Sequence, residues 1–129
     1  MKQPDSGAQK IPCVLLVEDE AEIRSLLADE IRAAGVFVVE HTNADEAWDF
    51  LQSGARVDLV FSDVNMPGTL DGLTLVRLIR AQMPEVKTIL TSGNLGPRNI
   101  SDIGIYLQKP FRMRVALNHV LSGLGRDTL

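Results

Sequence analysis

Five short apolar runs, alternating with amphipathic stretches, constrain the fold of this chain more than any other feature. The runs cover residues 14–17, 36–39, 59–61, 88–91 and 105–107. Continuous apolar runs of this length are typical of strands that are covered on both faces. Because helical segments separate them, the strands are expected to run parallel, with right-handed crossovers and helices on both faces. The sequence therefore predicts an α/β, doubly wound, five-stranded parallel sheet.

The segments between the runs carry the signals of helices. Apolar residues at helical spacing are Ile23, Leu26, Leu27 and Ile31, then Ala44, Ala47, Trp48 and Leu51, then Leu75, Val76, Ile79 and Met83, and finally Met113, Ala116, Leu117, Val120, Leu121 and Leu124. Gly35 suits the end of the first helix, and Asn43 suits the N-cap of the second. Between Ser92 and Lys109 there is room for only one or two helical turns, which are expected to begin near Pro97.

Length and composition limit the kinds of protein that this chain is expected to be. The chain has 129 residues, of which 45% are hydrophobic and 23% charged, and a formal net charge of −4. We expect one domain over residues 12–124, a flexible arm over 1–11 and a tail over 125–129. The acidic balance disfavours direct binding of nucleic acid. No apolar run is long enough to span a membrane, and the polar start lacks a secretory signal, so a cytoplasmic protein is predicted.

Polar side chains gather where the predicted strands end. Glu18 and Asp19 follow the first strand, Asp63 the third, Ser92 the fourth and Lys109 the fifth. In doubly wound sheets the working site lies beyond the carboxyl ends of the strands. Crowded carboxylates repel one another unless a hard cation shares them, and oxygen ligands suit Mg²⁺. A carboxylate such as that of Asp63 is a competent nucleophile toward a phosphoryl group once cations offset the charge.

Each of these features also has a simpler explanation. Glu18 and Asp19 would favour the N-terminus of the next helix through its dipole without any further role. Lys109 would be an ordinary surface lysine whose stem is buried and whose ammonium is solvated. Cys13 is expected to be a small core residue rather than a reactive thiol. The convergence of all the groups on one edge favours a functional site.

Five ordered motifs resemble the signature blocks of the response regulator receiver family of two-component phosphorelays. They are Leu15-Leu-Val-Glu-Asp-Glu20, Phe61-Ser-Asp-Val-Asn-Met-Pro-Gly68, Asp71-Gly-Leu73, Ile89-Leu-Thr-Ser-Gly93 and Lys109-Pro-Phe111. The resemblance covers about residues 12–124. It implies a (βα)5 flavodoxin-like sheet with strand order 2-1-3-4-5. In this chain the fourth helix of that pattern, between the fourth and fifth strands, is expected to be shortened.

The resemblance also implies roles for individual residues. Asp63 would be the phosphoacceptor, with Lys109 and Ser92 contacting the phosphoryl group. Mg²⁺ would be held by the side chains of Glu18, Asp19 and Asp63 and by the backbone carbonyl of Asn65. Asn65 and Asn94 would tune hydrolysis, and Tyr106 resembles the aromatic residue whose rotamer reports activation, although a half-buried strand tyrosine needs no such role. A cis peptide bond is expected before Pro110.

The chain departs from the family pattern at two places. The stretch Thr69-Leu-Asp71 makes the loop after Asp63 one residue longer than the commonest form, and the connection from Ser92 to Lys109 is about one helical turn shorter. Because many receivers dimerise or meet outputs through the fourth helix, the usual dimer is not assumed, and a monomer or weak dimer is expected.

The predicted function is therefore a stand-alone phosphorylation switch rather than a turnover enzyme. A histidine kinase or histidine phosphotransfer protein would supply the phosphoryl group, and an unknown output protein would sense the change. The alternative is a receiver-like interaction module that is never phosphorylated. A haloacid-dehalogenase-type phosphatase would want an acid where Asn65 stands, and a flavodoxin-like carrier would want a phosphate loop where Glu18 and Asp19 stand.

Overall fold

Five parallel strands in the order β2-β1-β3-β4-β5 form the centre of the molecule. The computed structural model describes residues 11–94 and 100–126. Its elements are β1 (Cys13–Val17), α1 (Ala21–Ala33), β2 (Phe37–His41), α2 (Ala44–Gln52), β3 (Leu59–Asp63), α3 (Gly72–Gln82), β4 (Lys87–Ser92), β5 (Ile105–Gln108) and α4 (Met113–Gly123). The predicted fold class and strand order are confirmed.

The sheet is covered on both faces, as its continuous apolar runs predict. Along β1, Val14 and Leu16 pack into a core with α1 and α4, whereas Leu15 and Val17 pack into a second core with α2 and α3. This alternation follows from the two-residue period of a strand. Cys13 begins β1 and is only partly buried, so it lies at the margin of the core and not within it.

Local signals define where the helices begin and end. Gly35 has a φ of +85°, which lets the chain turn back after α1. The Asn43 side chain accepts a hydrogen bond from the Glu46 amide at 2.8 Å, so it caps α2 as predicted. Asp71 caps α3 in the same way, through the Thr74 amide at 2.8 Å. Asn43 and Asp71 thus begin α2 and α3 at the carboxyl edge of the sheet, whereas Gly35 follows α1 at the opposite edge.

The connection between β4 and β5 is short. The helical turns predicted near Pro97 lie outside the described residues, and residues 100–104 contain no helix. Ile103 in this segment is fully buried in a small core with Val64, Leu73, Val76 and Leu90. One isoleucine in irregular chain thus covers that part of the sheet and of α3.

Within residues 11–94 and 100–126, no helix combines the length and apolar character that crossing a membrane requires. The predicted boundaries of the arm and of the tail stay predictions, because most of the arm and the last three residues lie outside the described part of the chain.

Candidate phosphoryl-acceptor site

An acidic cluster lies at the carboxyl edge of the sheet. Glu18 directly follows β1, Glu20 is the last residue before α1, and Asp63 is the last residue of β3. One carboxylate oxygen from each of these three residues lies within 4.8 Å of the others. Because β1 and β3 are neighbouring parallel strands, their carboxyl ends bring Glu18 and Asp63 together.

The Lys109 ammonium lies among these three carboxylates. Its Nζ is 3.1 Å from Glu18 Oε1, 3.1 Å from Glu20 Oε1 and 3.1 Å from Asp63 Oδ2. Burial alone would lower the pKa of Lys109, but its close contacts with the three acids outweigh burial and raise that pKa above the ordinary value. Lys109 is therefore a permanent cation at the site.

Glu18 is the most buried acid of the cluster, with a side chain that is 1% exposed. Burial is the main cause of the raised pKa of its carboxyl; the Glu20 amide, which donates to Oε2 at 3.1 Å, lowers that pKa, and the negative charge of Asp63 raises it further. Glu18 Oε1 is close to Lys109 yet has no well-aligned hydrogen-bond donor among the described residues. A buried carboxylate oxygen without an aligned donor, beside two further carboxylates, fits a divalent cation that prefers oxygen ligands.

Close backbone packing positions Asp63. Gly72, the first residue of α3, lies so near the Asp63 carbonyl that a β-carbon there would overlap with it. The Gly72 amide donates to the Val64 carbonyl at 2.8 Å, and the Val64 amide donates to the Thr91 carbonyl at 2.9 Å. Since only glycine permits this approach, Gly72 fixes the start of α3 against the end of β3.

The turn after β5 positions Lys109. The Lys109–Pro110 peptide bond is cis, which confirms the prediction from the resemblance. Phe111 packs edge-on against Phe61 of β3, with ring centroids 5.9 Å apart. This aromatic contact ties the turn to the strand that carries Asp63.

Ser92 ends β4, beside the strand that ends in Asp63, and is fully buried. Its carbonyl accepts hydrogen bonds from the Lys109 amide at 2.9 Å and from the Tyr106 hydroxyl at 3.0 Å. Its own hydroxyl oxygen accepts from the Asn94 amide at 3.1 Å. Tyr106 is therefore turned toward the end of β4, and Ser92 links Tyr106, Asn94 and Lys109.

One predicted metal ligand lies outside the group of three acids. The Asp19 side chain is exposed, and Asp19 is not one of the three grouped acids. The Asn65 side chain is also exposed, and the role predicted for its backbone carbonyl stays a prediction. Glu20 takes the place beside Glu18 and Asp63 that the sequence reasoning expected of Asp19. The only sequence signal for Glu20 is that it continues the acidic run Glu18-Asp19.

A doubly wound five-stranded parallel sheet with an acidic cluster and a lysine at its carboxyl edge is the arrangement that the resemblance to receiver domains implies. The family model for the response regulator receiver domain matches residues 14–120, and the chain belongs to that family.

Comparisons with individual proteins agree. The chain is 37% identical to the sensor kinase CckA of Brucella abortus over 108 residues, covering 78% of this chain and 11% of CckA. It is 38% identical to the response regulator protein FleR of Pseudomonas aeruginosa over 112 residues, covering 83% of this chain and 23% of FleR. The chain thus spans less than a quarter of the length of these two relatives.

Among solved structures, the response regulator TrrA from Thermotoga maritima, in complex with Mg²⁺ and beryllium fluoride, superposes with a TM-score of 0.77. It is 28% identical in sequence, and the match covers 88% of this chain and 99% of TrrA. The fold of this chain is therefore that of receiver domains.

Proposed function

We propose that Asp63 accepts a phosphoryl group from the phosphohistidine of a histidine kinase or of a histidine phosphotransfer protein. An Asp63 carboxylate oxygen attacks phosphorus, so that an O–P bond forms while the N–P bond to the donor imidazole breaks. The observation that carries the proposal is the contact between Lys109 Nζ and Asp63 Oδ2 at 3.1 Å inside the acidic cluster. The family membership supports the same reaction.

Mg²⁺ is the proposed cofactor. The side chains of Glu18, Asp19 and Asp63 and the backbone carbonyl of Asn65 would hold it. When bound, Mg²⁺ neutralises charge on the transferring phosphoryl oxygens. The unaligned Oε1 of Glu18 and the closeness of the Glu18 and Asp63 carboxylates support this proposal.

The remaining residues of the site bind the product and report its formation. Lys109 places a cation beside the phosphoryl oxygens, and the Ser92 hydroxyl donates a hydrogen bond to one of them. The Ser92 carbonyl accepts a hydrogen bond from the Tyr106 hydroxyl. Movement of Ser92 toward the phosphoryl group would therefore strain or break this hydrogen bond and shift Tyr106. The new charge thereby biases the loop after β4.

Asn65 and Asn94 are proposed to set how fast water reaches the acyl phosphate. Two small polar amides at these positions favour a lifetime that is not unusually long. The domain would undergo only its own phosphorylation and dephosphorylation, without acting as a turnover enzyme on other substrates.

The proposed partners are a phosphodonor protein and an output protein, in the cytoplasm and without direct contact to nucleic acid. An open cavity of about 480 Å³ lies beside the acidic cluster, with Ile23, Pro110, Phe111 and Met113 in its lining. An apolar surface next to the phosphoacceptor supports docking of a donor protein there. The chain itself is proposed to be a monomer or weak dimer.

Incubation with acetyl phosphate and Mg²⁺, followed by intact mass, tests the function. The wild type and Asp29→Asn, which changes an exposed acid on α1, should gain a phosphoryl adduct, whereas Asp63→Asn should gain none. An adduct on Asp63→Asn, or no adduct on the wild type with Mg²⁺ present, would refute the proposal. The second result would favour an interaction module that is never phosphorylated.

A further inference from the structure

The carboxylate of Asp45, in the first turn of α2, is bound to the loop between β3 and α3. Its Oδ2 accepts a hydrogen bond from the Thr69 amide at 2.7 Å, and its Oδ1 accepts from the Leu70 amide at 3.3 Å. Hydrogen bonds to an ionised acceptor are stronger than neutral ones. Both oxygens are engaged by consecutive peptide groups, so this one side chain fixes the direction of the loop.

Gly68 makes this contact possible. Its φ is +116°, a conformation that side chains disfavour, and a β-carbon built on it would overlap with Asp45 Oδ2. Only glycine therefore allows the loop to approach the carboxylate so closely. The absence of a side chain at Gly68 thus leaves space for the Asp45 carboxylate beside the loop backbone.

The loop also packs against a core cluster to which α2 contributes. Met66 and Leu70 pack against the core cluster that contains Ala44 and Ala47 of α2, and Trp48 packs against the same cluster. The apolar packing thus holds both ends of the loop segment from Met66 to Leu70, and Asp45 binds the amides at its C-terminal end. Together they define its path.

The held loop is the one that leaves the phosphoacceptor. It begins directly after Asp63, contains Asn65, and ends at Asp71, the N-cap of α3. The residue by which this loop exceeds the commonest family form falls in the stretch that Asp45 binds. A longer loop has more conformations to lose, and the two hydrogen bonds of Asp45 restrict them.

We infer that Asp45 is a positioning residue of the phosphorylation site: it holds the lengthened loop so that the Asn65 carbonyl stays available to the metal and the phosphoryl group on Asp63 stays shielded from water. The inference rests on the proposed function for its phosphoryl readout. The effects on loop order and on Mg²⁺ affinity do not require that phosphorylation occur.

Three measurements on the full chain test the inference. Hydrogen exchange of the Thr69 and Leu70 amides, without Mg²⁺, reports the loop directly. The single tryptophan, Trp48, packs near the loop and provides a fluorescence signal for the dissociation constant of Mg²⁺. The half-life of the acetyl-phosphate-derived adduct reports shielding. The variants are Asp45→Ala and Asp45→Asn, whose amide keeps only one accepting oxygen.

In Asp45→Ala, exchange of the two amides should accelerate and the Mg²⁺ dissociation constant should rise, each by about tenfold, the change that one lost hydrogen bond to a charged group supports. The adduct should be lost correspondingly faster, and Asp45→Asn should fall between Asp45→Ala and the wild type. Asp49→Ala, an exposed acid on the same helix, and Glu46→Ala, an acid of the same helical turn whose carboxylate contacts His41, should behave as wild type.

Unchanged exchange in Asp45→Ala would overturn the inference, and so would faster exchange with an unchanged Mg²⁺ affinity and half-life. If Asp45→Ala fails to fold, Asp45→Asn decides by the same criteria. A wild type that binds Mg²⁺ but is not phosphorylated would count against the proposed function alone, since the exchange and Mg²⁺ measurements still judge Asp45. A wild type that binds no Mg²⁺ would overturn both.

Discussion

At the scale of single residues, the ammonium of Lys109 offsets the repulsion among Glu18, Glu20 and Asp63. The contacts differ in environment, because the side chain of Glu20 is 59% exposed whereas those of Glu18 and Asp63 are buried. Water screens an exposed pair strongly. The interactions of Lys109 with Glu18 and Asp63 are therefore less screened than its interaction with Glu20.

Glu18 should make the stability of the Mg²⁺-free protein fall as pH rises. Burial raises the pKa of its carboxyl above the ordinary value of 4.5, so the folded state keeps this proton to a higher pH than the unfolded state does. Between the two pKa values the folded state binds more protons, and the free energy of unfolding decreases with increasing pH. Glu18→Gln removes this loss, so in the absence of Mg²⁺ it should be more stable than the wild type above that window.

Urea unfolding with a chelator present, at several pH values from about 4 to 7, measures the difference. The advantage of Glu18→Gln should shrink toward the acid end, where the wild-type carboxyl is protonated in both states. Glu22→Gln, an exposed acid of α1, should follow the wild-type curve. Parallel curves for Glu18→Gln and the wild type would contradict the raised pKa.

At the scale of elements, the connection between β4 and β5 depends on one residue. Ile103 is fully buried, and its carbonyl accepts a hydrogen bond from the Thr88 hydroxyl at 2.6 Å. Ile103→Ala should lower the free energy of unfolding by about 3 kcal/mol, as expected for a large-to-small change in a packed core. Ile105→Ala, at a position that is 42% exposed, should cost less than about 1 kcal/mol. Equal urea midpoints for the two variants would show that Ile103 does not anchor the connection.

The sequence predicted the elements of this fold better than its loops. Apolar runs and the caps Gly35 and Asn43 are local signals, and the strands and helices lie where those signals place them. The burial of Ile103 depends on the path of a connection without regular secondary structure between two strands. The spacing of apolar residues does not predict such a path. The contact of Asp45 with Thr69 joins residues 24 apart, and no pattern in either segment indicates it.

The candidate site shows the same division. Glu18, Asp63 and Lys109 all follow or end predicted strands, and this position predicts that they meet at the carboxyl edge of the sheet. The structure brings them together there. Which of Asp19 and Glu20 joins the cluster depends on the direction of the side chains in one turn. A rule based on sequence spacing does not distinguish two neighbouring acids. Family resemblance favours Asp19 as a metal ligand, whereas the fold places Glu20 in the cluster.

At the scale of the whole molecule, Mg²⁺ should stabilise the fold against unfolding. The acids of the site come from distant parts of the chain, so the unfolded state offers no comparable site, and binding adds to the free energy of unfolding. The gain is about 2.7 kcal/mol at a Mg²⁺ concentration 100 times the dissociation constant. The urea midpoint of the wild type should therefore rise steadily with the logarithm of the Mg²⁺ concentration once the site begins to fill.

Two variants decide which neighbouring acid holds the metal in the folded protein. Asp19→Asn should flatten the dependence of the urea midpoint on Mg²⁺, because the resemblance to the receiver motif implies that Asp19 is a ligand, whereas Glu20→Gln should retain most of it. A control series in sodium chloride at matched ionic strength separates specific binding of Mg²⁺ from the general screening of charges by salt. This control is needed because the chain has a net charge of −4. If Glu20→Gln is flat and Asp19→Asn is not, Glu20 is the ligand, and the binding set is the acidic cluster of Glu18, Glu20 and Asp63. If the wild type itself is flat, the carboxylates are balanced by Lys109 alone and the proposed Mg²⁺ site is wrong.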